Sequence, residues 1–95
     1  MGNHHRVTER LDELMRAART LAYAVLAAAA DALNAGAPLD RIQGHFVARA
    51  ARLLSDAEAD AVLASAGDAS ALAAIERHVD DLAELQAQLD AEFGD

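Results

Sequence analysis

The chain has 95 residues, 54% of them hydrophobic and 25% charged, with 16 acidic residues against 8 basic ones and a formal net charge of −8. The absence of cysteine excludes disulfides, thiolate metal sites and a cysteine nucleophile, and favours a reducing, cytoplasmic setting. Alanine accounts for 26 of the apolar residues and larger side chains for 25, so a chain able to bury only about 60–65% of its unfolded surface is expected to add area by forming a homodimer.

A first helix is expected over residues 6–35, after a disordered stretch at 1–5. Val7, Leu11, Leu14, Ala18, Leu21, Val25, Ala28 and Ala32 repeat at alternating spacings of 4 and 3, a heptad stripe. A second stripe, Met15, Ala22, Leu26, Ala29 and Leu33, runs beside it. Between Leu21 and Ala30 the helix is apolar on all sides, which predicts burial all round at a bundle centre or dimer interface. Leu14, Leu21, Val25 and Ala28 are the expected dimer or partner seam. At ten residues this run is shorter than the roughly 18–20 needed to cross a bilayer, so no membrane span is expected.

Gly36 and Pro38 end the first helix, and a second is expected over 39–54, burying Leu39, Ile42, Phe46, Ala50, Leu53 and Leu54. Gly44 falls in its middle, at a cost of about 1 kcal/mol against alanine, and suggests the close approach of another backbone. Ser55 followed by Glu58 reads as a capping box, where a new helix starts or a longer one bends. That piece spans 56–66 and stops at Gly67. A last helix, capped by Asp68 or Ser70, covers 69–92 with Leu72, Ile75, Val79, Leu82, Gln86, Leu89 and Phe93 on its stripe. The predicted fold is all-α: a small antiparallel bundle of three to four helices, two long ones flanking a broken middle one, in a single domain.

Charge divides the chain unevenly. Residues 1–52 carry a balance of +2, and residues 53–95 carry −10, with Arg77 as their one cation. Asp56, Glu58, Asp60, Glu76, Asp80, Asp81 and Glu84 are therefore the candidate partner-binding face, suited to a basic surface; the ordinary alternative is a solvated face. Arg41, His45, Arg49 and Arg52 form a basic stripe on the second helix. It serves either internal ion pairing with the acidic helices or an outward binding surface. Direct nucleic-acid binding is not expected, because the helix at 56–66, in the position of a recognition helix, offers Asp56, Glu58 and Asp60 and no cation.

Chemistry-bearing groups are sparse. His78 and Asp81 sit at i, i+3, a spacing that can present two metal ligands, although a solvent-facing histidine among acids is the simpler reading. Gly2-Asn3-His4 would offer a square-planar copper or nickel site if Met1 were removed; a frayed terminus is the alternative. No catalytic, metal or cofactor residues are assigned. The sequence is read as a non-enzymatic protein–protein interaction module. Its alternatives are an inhibitor or antiactivator of the phage or plasmid type, anti-CRISPR-like proteins included, occupying a basic nucleic-acid-binding surface, and an accessory subunit stabilising a larger enzyme.

Overall fold

The computed structural model describes residues 2–94, with side chains from Arg6 onward. Three rods run antiparallel: α1 (Gly2–Asn34), a middle rod made of α2 (Leu39–Arg41), a π-helical segment (Ile42–Val47) and α3 (Ala48–Ser65), and α4 (Ala69–Phe93). All three pack on one another, as the all-α bundle prediction requires. Helix α1 begins at Gly2, ahead of the expected boundary at residue 6. His4 and its companions in the copper-site motif lie outside the described side chains. The bundle measures 53 × 20 × 14 Å with a radius of gyration of 15.1 Å, against about 12 Å for an equally long compact chain. Small core residues let the rods approach closely and leave the molecule long and thin.

Two glycines set the turns. Gly36 and Gly67 take φ of 98° and 105°, the left-handed region that only glycine enters without a steric cost. At each, the amide after the glycine donates to the carbonyl five residues back, Ala37 to Ala32 at 2.9 Å and Asp68 to Leu63 at 3.1 Å. These bonds close a Schellman motif and satisfy carbonyls the helix end would otherwise leave free. Asp68 then caps α4, its carboxylate accepting from the Ser70 amide at 3.0 Å and the Ser70 hydroxyl at 2.6 Å. These bonds, the hydroxyl's first, hold the Asp68 carboxyl below its ordinary 3.8.

The core face of α1 falls between the two stripes that the sequence offers. Leu11, Met15, Ala18, Ala22, Val25, Ala29 and Ala32 are buried, with Leu14 beside them, whereas Leu21 and Ala28 are half-buried and Val7 and Leu26 are exposed. The expectation of burial all round between Leu21 and Ala30 is therefore corrected. Tyr23, Leu26, Ala27 and Ala30 are exposed, because two neighbouring rods cover only one side of a third. Of the 19 buried apolar residues, 8 are alanine, and the largest fully buried side chain is Phe46.

The middle rod bends at a different place from the one predicted. Ser55 lies inside continuous α3 and caps nothing, since Leu53 and Ala57 carry the buried face straight through it. The irregularity is the π-helical turn at Ile42–Val47, where the Ala48 amide donates to the Gln43 carbonyl five residues back. One extra residue in that turn keeps Ile42, Phe46 and Ala50 all facing inward at successive spacings of 4, where a regular helix would drift by about 40° per step. Gly44 sits at the wide turn, is exposed, and has no atom within 4 Å of where a Cβ would stand. No backbone approaches it closely.

Candidate functional site

At the end of the bundle where α2 meets the end of α4, the basic stripe is partly consumed. Arg41 makes a bidentate pair with Glu92, Nε to Oε1 at 3.0 Å and Nη2 to Oε2 at 2.9 Å, and its guanidinium lies 5.3 Å from the Phe46 ring centre. The paired hydrogen bonds push the Glu92 carboxyl below its ordinary 4.5 and raise the Arg41 guanidinium above its ordinary value. Phe46 meets His45 edge-on at 4.7 Å and Phe93 edge-on at 6.1 Å. Arg41 and His45 thus belong to an internal clasp. Arg49 and Arg52 are exposed and form no ion pair among the described residues.

The candidate acidic face separates into three parts. Asp60 and His78 join α3 to α4 through a 2.9 Å contact between Oδ2 and Nε2, with both side chains largely covered. His78 is therefore a bridging histidine and not the solvent-facing one expected. Because the rods are antiparallel, Asp56, one turn before Asp60, stands level with the turn after His78 that carries Asp81. Asp81 and Glu84 line a groove between α3 and α4 with Arg49, Leu85 and Gln88. Asp80, one residue from Asp81 and one turn from Glu84, extends it on the exposed side of α4. Glu76 departs from this group, reaching the Arg10 guanidinium of α1 at 4.0 Å. Glu58 departs as well, since two residues along a helix is about 200° around it and turns Glu58 away from Asp56 and Asp60. The single face of seven acids is thus corrected: Asp81 and Glu84 line one groove, with Arg49 also in its wall; by helix position Asp56 and Asp80 stand beside it, and Asp60 is held by His78. Among the described residues, Asp56, Asp80, Asp81 and Glu84 have no ion-pair partner.

The predicted seam fares differently. Leu14 and Val25 are buried within the chain's own core and Leu21 and Ala28 are half-buried beside it, so these four are chiefly internal packing. No group of three or more His, Asp or Glu side chains that could hold a metal ion comes together among the described residues. The sequence offers internal ion pairing for the Arg41 stripe but names no partner, because Asp60–His78 and Arg41–Glu92 are 18 and 51 residues apart. Only the register between rods could have signalled them. No described helix is long and apolar enough to cross a membrane. No protein family, curated protein or solved structure matches this chain.

Proposed function

We propose that this chain is a non-enzymatic interaction module whose α3–α4 groove takes a cationic segment of a protein partner. The observation that carries the reading is the set of carboxylates at Asp56, Asp80, Asp81 and Glu84, which have no ion-pair partner among the described residues. Seven of the eight arginines lie before residue 53, and those that pair with an acid of α4, Arg10 and Arg41, reach Glu76 and Glu92 outside this groove. Arg49 lines the groove without an ion pair among the described residues, so carboxylates outnumber the cation there, and that excess of negative charge raises the association rate of a basic partner and disfavours an acidic one. Each exposed pair contributes little alone, so the groove acts as a set.

The finer form of the proposal is an inhibitor that occupies a nucleic-acid-binding surface. Its support is that these acids would oppose the same cations that phosphates do. The test immobilises the wild-type chain and an Asp80→Arg/Asp81→Arg/Glu84→Arg variant and compares proteins retained from the source cell at low and moderate salt. A partner retained by the wild type, lost on the variant and released as salt rises supports the reading. Displacement of duplex DNA from that partner by the free chain supports the finer form. Equal retention by both chains, insensitive to salt, would sink both.

A further inference from the structure

The outward side of α1 is the second feature with little internal use; among its described residues Glu13 pairs with Arg10 at 3.3 Å. Glu13, Arg16, Thr20, Tyr23, Ala27, Ala30 and Asn34 are all exposed and lie along the side of the helix opposite the core. Tyr23 is 62% exposed at its middle. Arg16 before it and Asp31 after it have no ion-pair partner among the described residues. We infer that this stripe is a seam for a second copy of the chain, joined antiparallel about a two-fold axis between Tyr23 and Ala24.

The register follows from the residues. In an antiparallel helix pair with a two-fold between Tyr23 and Ala24, Thr20 faces the partner's Ala27, Glu13 faces the partner's Asn34, and Arg16 faces the partner's Asp31. Symmetry makes two such Arg–Asp pairs. A parallel pairing would set Arg16 against its own copy and Asp31 against its own, and like charges disfavour it. Ala24, Ala27 and Ala30 let the helix axes come close, while Tyr23 supplies the large, stiff side chain that interface centres favour. This seam is distinct from Leu14, Leu21, Val25 and Ala28, which the single chain already covers.

The strip from Glu13 to Asn34 is about 32 Å long and one helix, about 10 Å, wide. That is about 300 Å² on each chain, well below the roughly 800 Å² a side of a standard interface, so the pairing is weak and forms only at high chain concentration. Sedimentation equilibrium from about 5 to about 500 μM chain should carry the mass from 10.0 kDa toward twice that value. The chain has one tyrosine and no tryptophan, so near-ultraviolet circular dichroism reads the seam directly and should change over the same range. Arg16→Asp and Asp31→Arg should each weaken association at least about tenfold, and the double swap should restore it. All these positions are exposed, and far-ultraviolet circular dichroism verifies that each variant keeps its helix content. A 10.0 kDa mass at the highest concentration overturns the proposal. So does association that neither single swap weakens, which would place the contact on another surface.

Discussion

Replacing glycine by alanine should have opposite signs at two places in this bundle. Gly44 is exposed, lies in the π-helical turn without a left-handed φ, and has open space where a Cβ would go. Alanine there removes backbone freedom from the unfolded chain and disturbs no native contact, a gain of about 0.5–1 kcal/mol. For a domain of this size that raises the midpoint of thermal unfolding by about 2–8 °C. Gly36 also has open space around it, but its φ is 98°. An L-residue held there costs about 1–2 kcal/mol, offset in part by the same loss of unfolded-state freedom, so Gly36→Ala should lower the midpoint. Thermal and urea unfolding of both variants, followed by far-ultraviolet circular dichroism at fixed chain concentration, measures the pair. A Gly44→Ala variant less stable than wild type would refute the reasoning, because it would mean that the π-helical turn requires glycine itself and not merely one extra residue.

Three further outcomes follow from the packing and the pairs. Phe46→Ala removes the largest fully buried side chain and should cost about 3–5 kcal/mol in urea unfolding, whereas Ala18→Leu should cost about 1–3 kcal/mol by overfilling a site that has no exposure at all. A double-mutant cycle on Asp60→Ala and His78→Ala should return a coupling of about 0.5–1.5 kcal/mol, and a value near zero would make the 2.9 Å contact incidental. Glu92 and Asp68 are held below 4.5 and 3.8 by Arg41 and Ser70, so the folded state binds their protons less readily than the unfolded chain does. Their stabilisation is present above those ordinary values and is lost as pH falls through the lower, folded ones. The unfolding midpoint should drop from about pH 5 toward about pH 2, less steeply in Glu92→Gln than in wild type; equal slopes would show that the Arg41 pair does not shift with folding.

Local chemistry in the sequence located the ends of the rods, because the Gly36 and Gly67 turns are decided within six residues of chain. The centre of the α1 stripe was not legible in the same way. Alanine and leucine lie on two adjacent faces there, and the choice between them depends on where two other helices come to rest. The capping-box residues Ser55 and Glu58 had a plausible local meaning that the continuous apolar face at Leu53 and Ala57 overrode. The π-helical turn has no signature beyond Gly44, since its cause is the inward alignment of Ile42, Phe46 and Ala50 across three turns. The acids of the candidate groove were visible as a cluster in sequence. Which of them share a groove was set by helix angle and by the antiparallel register, and Glu58 and Glu76 were removed on those grounds.

The triangular cross-section has a further consequence. In a bundle of three rods, each rod stands across from the groove between the other two, so the outward ridge of α1 and the acidic α3–α4 groove face opposite directions. Occupation of one leaves the other open. A pair of chains joined along α1 would therefore present two acidic grooves on its far sides, roughly two bundle thicknesses apart. A partner carrying two cationic segments, or two partners fixed on one lattice, would then meet a bivalent ligand whose second contact forms at high local concentration. Its retention would rise steeply with chain concentration through the same range in which the chain pairs.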